Sequence, residues 1–267
     1  MLSYDSLIEQ AKSKGIPSNK IRGILREYLQ ILILKELYKT VSGNKFYFTG
    51  GTYLRLVHNL KRFSEDLDFN ATKMTGKEFE DVVKKIKNEL KRIGVDSQLR
   101  FAHWDNVYVS KLIFPEIEKI YNVISRYSKK EGIVIKLEVN NLKQEIKSQS
   151  HVISGFGEFF PCICTDVSIL FADKIDALGK KKRGRHIYDV IFMLSNKHPV
   201  DESFLKGLGI KKNPTEAILE EIAKFSEAGL KKQAEILRPF LFEENQADLV
   251  ANAHNIIPEL IEKYKKP

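Results

Sequence analysis

The stretch Phe46-Tyr47-Phe48-Thr49-Gly50-Gly51-Thr52-Tyr53-Leu54-Arg55-Leu56 decides the fold of this 267-residue chain. The aromatic residues predict a short strand, the glycine pair predicts a tight turn, and the leucines predict a helix. The first amides of such a helix can bind an anion, and we expect the Thr52 hydroxyl to assist them. Taken alone, the pattern favours a simpler explanation, a turn that needs positive φ and a threonine, Thr52, that merely caps the helix.

A pair of aspartates follows in the stretch Arg62-Phe63-Ser64-Glu65-Asp66-Leu67-Asp68-Phe69. Residues 66–69 predict a second strand, in which the side chains at i and i+2 point to the same side. Asp66 and Asp68 would then project together while their apolar neighbours enter the core. Because paired carboxylates suit hard divalent cations, we expect both to be metal ligands beside the glycine turn. An isolated acidic pair is more often solvated surface.

Glu138 is a candidate third metal ligand. It is the acid in Lys136-Leu137-Glu138-Val139, within a segment that alternates apolar and polar residues and therefore predicts another strand. The alternation also fits an exposed strand position, with Lys136 on the same face as the partner of Glu138. Both interpretations are open at the level of the sequence.

Two charged residues interrupt the apolar pattern of helices predicted in the second half. Lys174 occupies the i+7 position of an apolar stripe that starts at Val167, and Asp189 is the only charge within residues 187–194. A buried charge needs a partner. Either Lys174 reaches a triphosphate while Asp189 orients it or Arg185, or Lys174 and Asp189 form an ion pair between two helices. The two interpretations are compatible.

The composition favours a globular protein with polyanionic partners. Lys and Arg number 44 against 35 Asp and Glu, and the formal net charge of +9 suits RNA, DNA or nucleotides. The tract of residues 180–185 is a concentrated basic patch, or else a solvated linker. We expect a cytoplasmic protein without a membrane partner, because there is neither a leader-like start nor a bilayer-length apolar run. The two cysteines and six histidines do not show the spacing of a zinc or redox site.

Strand and helix signals separate along the chain, which predicts an α/β (α+β) fold in two domains. One mixed sheet is expected from residues 1–160, and a helical domain from residues 161–267. The boundary is placed near Gly155-Phe156-Gly157 and Pro161. We expect a cleft between the domains, lined by the basic residues 180–185. Strands are predicted at residues 46–48, 66–69, 95–101, 107–114 and 133–139, and helices at residues 20–37, 75–93, 167–178, 187–194, 216–225, 229–237 and 247–264.

The glycine and aspartate stretches, followed by Ala172-Asp173-Lys174-Ile175-Asp176-Ala177-Leu178 and Gly184-Arg185-His186-Ile187-Tyr188-Asp189, resemble the AbiEii/AbiGii family of nucleotidyltransferase toxins. This family includes MenT-like toxins of type IV toxin–antitoxin and abortive-infection systems. The resemblance covers roughly residues 45–195. It implies that residues 1–160 form a polymerase-β-like nucleotidyltransferase domain and that the helical domain contributes Lys174 and Asp189.

The resemblance also implies roles for individual residues. The metal would be Mg²⁺ or Mn²⁺, bound by Asp66 and Asp68. The resemblance supports Glu138 as a metal ligand less strongly. The catalytic residues would be Asp66, Asp68, Lys174 and Asp189, and the nucleotide would be bound by Gly50, Gly51, Thr52, Lys174 and Arg185. This chain departs from the family in having His186 where an acid generally follows the arginine, and Thr52 where serine is frequent.

The function implied is transfer of a nucleotidyl group from a nucleoside triphosphate to an acceptor, in a toxin–antitoxin or phage-defence module. Family similarity favours the 3′ end of tRNA or another RNA as acceptor and a cognate antitoxin as partner. The departure at His186 motivates an alternative, a catalytically weak nucleic-acid-binding or antitoxin-binding protein that retains a nucleotide pocket. A phosphotransferase acting on a small molecule would use the same glycine and metal chemistry.

Overall fold

The structure is a computed structural model that describes residues 1–123, 132–142 and 146–266. The chain divides into two compact units. The first unit consists of Met1–Asn59 and Phe63–Thr165, and the second of Leu60–Arg62 and Asp166–Pro267.

The described part of the first unit contains seven strands: β1 Tyr47–Thr49, β2 Leu67–Thr72, β3 Gln98–Trp104, β4 Val107–Phe114, β5 Ile133–Leu142, β6 Ser148–Gly155 and β7 Glu158–Thr165. They form one sheet in the order β3-β4-β5-β2-β1-β7-β6. β2 runs parallel to β5 and β1 runs parallel to β7, whereas the other neighbours are antiparallel. The predicted mixed sheet is confirmed.

The helices of the first unit are α1 Tyr4–Ser13, α2 Ile21–Tyr38, α3 Gly50–His58, α4 Gly76–Arg92 and α5 Ile117–Ile120. α2 is buried along most of its length, as the helical spacing of its apolar residues predicts. Thr75 caps α4 as predicted, because its hydroxyl accepts a hydrogen bond of 3.1 Å from the Glu78 amide. Gly94, with φ of +83°, follows the end of this helix.

The second unit is helical in its described residues, as predicted. Its helices are α6 Val167–Lys180, α7 Gly184–Ser195, α8 Glu202–Gly207, α9 Pro214–Ala223, α10 Glu227–Leu237, α11 Ala247–Ala251 and α12 Ala253–Tyr264. The single helix predicted over residues 247–264 is divided at Asn252. Among the described residues of both units, no helix is long and apolar enough to cross a membrane.

The segment expected to mark the domain boundary lies inside the sheet. Gly155 ends β6, and Phe156 and Gly157 form the turn to β7, both with positive φ. The chain leaves the sheet after Thr165 rather than at residue 160, because β7 continues past Pro161 and pairs with β6 over its whole length. The assignment of separate functional roles to domains 1–160 and 161–267 stays a prediction.

Candidate active site

Three acidic residues of the first unit lie on, or directly before, two adjacent strands. Asp66 immediately precedes β2, and Asp68 is the second residue of that strand. Asp68 and Glu138 are register partners in the parallel pair of β2 and β5. Leu67 and Phe69 are fully buried, so the alternation of the strand directs both aspartates away from the core, as predicted.

The Lys136 ammonium lies among these carboxylates. Its Nζ is 2.8 Å from Glu138 Oε2 and 3.6 Å from Asp66 Oδ2. Burial lowers the pKa of Lys136, but its hydrogen bond to Glu138 and the charges of Asp66, Glu138 and Asp68 outweigh this effect and raise the pKa above its ordinary value. Lys136 is therefore a cation inside the acidic cluster. The pairing of Glu138 with Lys136 is confirmed, and the metal-ligand role of Glu138 stays a prediction.

The glycine turn is packed directly against this cluster. Gly50 is the first residue of α3 and has φ of +81°, which confirms the expectation of positive φ in the turn. A Cβ added at Gly50 would lie 2.3 Å from Asp68 Oδ2 and 2.9 Å from Asp68 Cβ. Thr49, which precedes the turn, is the register partner of Asp68 in the antiparallel pair of β1 and β2. The start of α3 is therefore packed directly against the Asp68 carboxylate.

The first turn of α3 is not capped by the side chain of its N-cap residue, Thr49. The Thr49 hydroxyl is buried and has no hydrogen-bond partner within the described residues. Thr52 lies inside the helix and is fully buried, and its hydroxyl donates to the backbone carbonyl oxygen of Asp66. The alternative that Thr52 merely caps the helix is therefore wrong: it ties α3 to the segment that carries Asp66. An anion could complete the hydrogen bonding of the α3 amides.

A second cluster lies in the second unit, around Asp189. This residue is fully buried, and its carboxylate accepts hydrogen bonds of 2.8 Å each from Nε and Nη2 of Arg62 and one of 2.7 Å from Lys174 Nζ. Burial alone would raise the pKa of Asp189, but the charges and hydrogen bonds of Arg62 and Lys174 hold it below its ordinary value. The predicted ion pair between Lys174 and Asp189 is confirmed.

Arg62 is the residue of this cluster that sequence reasoning missed. The sequence suggested Lys174 or Arg185 as the residue that Asp189 orients, the latter because it lies one helical turn earlier. Arg62 is instead 127 positions away along the chain, and helical spacing does not reveal such a contact. Arg62 is the first residue of the aspartate stretch, but no pattern in the sequence marks it as buried.

His186 is buried beside this cluster, with 8% of its surface exposed. Neither ring nitrogen has a hydrogen-bond partner in the part of the chain that the structure describes. Burial and the nearby charge of Lys174 lower the pKa of His186 to about 3. The burial of His186 therefore favours the neutral form of its imidazole.

The basic tract is mostly exposed. Lys181, Lys182 and Arg183 are exposed between α6 and α7, and Arg185 is partly buried. Lys180 pairs with Asp176 of the same helix at 2.7 Å. This exposure fits both a solvated linker and a phosphate-binding or RNA-binding surface.

The predicted metal ligands Asp66 and Asp68 carry the oxygen donors that Mg²⁺ prefers. Within residues 1–123, 132–142 and 146–266, no group of three or more His, Cys, Asp or Glu side chains is arranged to hold a metal ion. Mg²⁺ nevertheless is commonly bound by one or two carboxylates, with water and substrate phosphates as the other ligands. Asp66 and Asp68 supply such oxygens, and the ammonium 3.6 Å from Asp66 shows that the location accommodates a positive charge. The pair fits Mg²⁺ or Mn²⁺, and the metal stays a prediction.

Known proteins resemble this chain in sequence family and in fold. Residues 32–254 match the family described as nucleotidyl transferase AbiEii toxin, type IV TA system. The fold is similar to the crystal structure of JHP933 from Helicobacter pylori, with a TM-score of 0.57 and 17% identity over 91% of this chain and 93% of that one. It is also similar to MenT4, a nucleotidyltransferase toxin from Mycobacterium tuberculosis, with a TM-score of 0.56 and 17% identity over 100% of both chains. No curated protein sequence matches significantly.

Proposed function

Because the chain belongs to the AbiEii family of nucleotidyltransferase toxins from type IV toxin–antitoxin systems, we propose that it transfers a nucleotidyl group to the 3′ end of tRNA or another RNA. Membership in the family makes the chain a nucleotidyltransferase toxin, with a nucleotide substrate and an antitoxin partner. The observation that carries the assignment to particular residues is the close contact between Gly50 and Asp68. It puts a helix start suited to phosphate against a carboxylate suited to a metal.

In the proposed reaction a hydroxyl oxygen of the acceptor forms a bond to the α-phosphorus of the triphosphate. The bond from that phosphorus to the bridging oxygen breaks, pyrophosphate leaves, and the hydroxyl proton passes to solvent. The backbone amides at the start of α3, in Gly50 and Gly51, bind the phosphate oxygens. Asp66 and Asp68 would hold Mg²⁺, which when bound neutralises phosphate charge and stabilises the leaving group. Thr52 keeps Asp66 in place through its hydrogen bond to the Asp66 carbonyl.

Lys174 is the proposed cationic residue for the triphosphate, with Arg185 as a further nucleotide contact. A buried lysine needs a partner that holds it in one orientation, and Asp189 supplies that partner at 2.7 Å. Arg62 binds the same carboxylate through two hydrogen bonds, so Asp189 stays ionised when Lys174 engages a phosphate. The exposed basic tract and the net charge of +9 support a nucleic acid as the acceptor.

The test uses two positions of radiolabel in the triphosphate. The purified chain is incubated with each nucleoside triphosphate, Mg²⁺ and total tRNA, and the products are treated with ribonuclease or protease. Label from the α-phosphate but not from the γ-phosphate is expected in material that ribonuclease removes. Label from the γ-phosphate would identify a phosphotransferase instead, and protease-sensitive label would identify a protein acceptor.

Asp66→Asn and Asp68→Asn are expected to abolish the transfer, because a neutral amide is a poor ligand for Mg²⁺. Asp81→Asn, which changes an exposed aspartate on α4, is the matched control and should retain full activity. Salt-sensitive RNA binding without transfer in the unmodified chain, unchanged by Asp66→Asn, would favour the nucleic-acid-binding alternative.

A further inference from the structure

We propose that Lys136 is a positioning residue that supplies part of the positive charge of this site, so that Asp66 and Asp68 bind one divalent cation rather than two. Glu138 would then hold Lys136 in place and would not itself bind the metal. The inference rests on the proposed nucleotidyl transfer and adds to it the number of metal ions that the site takes.

The contacts of Lys136 carry the inference. Its ammonium is 2.8 Å from Glu138 Oε2 and 3.6 Å from Asp66 Oδ2, so it bridges the first predicted ligand and the third. The three side chains are similarly shielded, with 30%, 31% and 30% of the Lys136, Glu138 and Asp66 side chains exposed. A second metal ion bound by Glu138 would have to displace an ammonium that already makes a charge-assisted hydrogen bond.

The charge of Lys136 acts in the same direction. Its ammonium offsets part of the negative charge of Asp66 and Glu138, so less negative charge is left to bind a second dication. A second dication would be repelled by the ammonium at a distance too short for solvent screening. The same side chains therefore favour one ion and disfavour a second.

The sheet fixes the position of Lys136. β5 lies between β4 and β2, so its backbone is hydrogen bonded on both edges. Lys111 is the register partner of Lys136 on β4, and directly opposite residues project from the same face. Repulsion between these two ammonium groups favours the orientation of Lys136 toward β2 and its acids. Lys111 is itself exposed, which makes it a matched control.

The experiment counts Mn²⁺ ions bound by the full chain without nucleotide, from the electron paramagnetic resonance signal of free Mn²⁺ during a titration. The unmodified chain should bind one ion. Lys136→Met should bind a second ion or bind the first at least tenfold more tightly, whereas Lys136→Arg and Lys111→Met should behave like the unmodified chain. Glu138→Gln should still bind one ion.

Two ions on the unmodified chain, unchanged binding in Lys136→Met, or loss of the ion in Glu138→Gln would overturn the inference. If Lys136→Met fails to fold by circular dichroism, Lys136→Arg and Glu138→Gln still decide it. The label-transfer assay is read separately, so a chain that binds one ion but transfers no nucleotide would refute the proposed function and leave the role of Lys136 intact.

Discussion

Gly50 and Asp68 adjoin so closely that a single added carbon at position 50 would lie 2.3 Å from the Asp68 Oδ2 atom. Real Cβ atoms do not approach oxygen so closely. Gly50 also has φ of +81°, a conformation that residues with a Cβ rarely adopt. The short distance to Asp68 and the positive φ are independent constraints. Together they require glycine at position 50.

Gly50→Ala is therefore expected to displace the Asp68 carboxylate as well as to strain the backbone. We expect nucleotidyl transfer to fall on the order of 100-fold, the effect of a small displacement of a reacting group. The backbone strain should lower the free energy of unfolding by about 1–3 kcal/mol. The measurements are initial rates of label transfer and urea denaturation.

Gly157→Ala is the control for backbone strain. Gly157 has φ of +76°, and among the described residues a Cβ there would meet only Gln10 Nε2, at 3.7 Å. This variant should lose a similar amount of stability and keep its activity. Equal losses of activity in the two variants would show that the contact with Asp68 is unimportant.

Thr52 makes a different prediction, because its hydroxyl donates to the Asp66 carbonyl from a fully buried position. Thr52→Val keeps the shape of the side chain but leaves that carbonyl without its partner, which should lower the free energy of unfolding by about 1–3 kcal/mol. Transfer activity should fall with it, because Asp66 is no longer fixed to α3. Thr52→Ser restores the hydroxyl and should restore the rate. A fully active Thr52→Val would exclude this role.

Local patterns predicted most of the elements near the site. The aromatic strand, the glycine turn and the apolar stripe of α2 each depend on residues close in sequence, and all three are present. β6 and β7 were missed. β6 is an edge strand of mostly polar residues, and β7 contains Pro161, so neither shows the β-branched alternation that predicts a strand.

The members of each cluster were predicted less completely than the elements. Alternation placed Asp66 and Asp68 on one face, and helical spacing indicated that Lys174 and Asp189 need a partner. The contact of Arg62 with Asp189 depends on tertiary packing between segments far apart in the chain, which periodicity does not encode. The position of Lys136 near Asp66 likewise follows from the parallel register of β2 and β5 rather than from any local motif.

Substitution of Asp189 and substitution of Lys174 should lower stability by unequal amounts, which distinguishes the roles of the two residues. Asp189→Asn removes the charge that Asp189 supplies to the buried Arg62 and Lys174, which should lower the free energy of unfolding by roughly 3–5 kcal/mol. Lys174→Met leaves Asp189 paired with Arg62 through two hydrogen bonds, so the loss should be smaller. If Lys174 binds the triphosphate, Lys174→Met should nevertheless abolish transfer. A stable Lys174→Met variant with full activity would reduce Lys174 to a structural role.

Asp173 predicts a decrease of stability with rising pH. Burial raises the pKa of Asp173 from 3.8 to about 7, with the Lys174 charge acting in the opposite direction. Between these two values the folded chain binds a proton that the unfolded chain has released, so raising the pH destabilises the fold. Asp173→Asn removes this dependence, and its stability relative to the unmodified chain should increase from pH 4 to pH 7 in urea denaturation. A constant difference would contradict the raised pKa.

His186 predicts the opposite trend over an overlapping range. Burial lowers its pKa from 6.5 to about 3, so between these values the unfolded chain binds a proton that the folded chain does not. The stabilising contribution is fully present above pH 6.5 and is lost progressively as the pH falls toward 3. His186→Gln, which cannot be protonated, should therefore gain stability relative to the unmodified chain as the pH is lowered from 7 to 4. Since Asp173→Asn should lose relative stability over the same interval, measuring both variants in one pH series separates the two groups, and parallel curves would refute one of the two assignments.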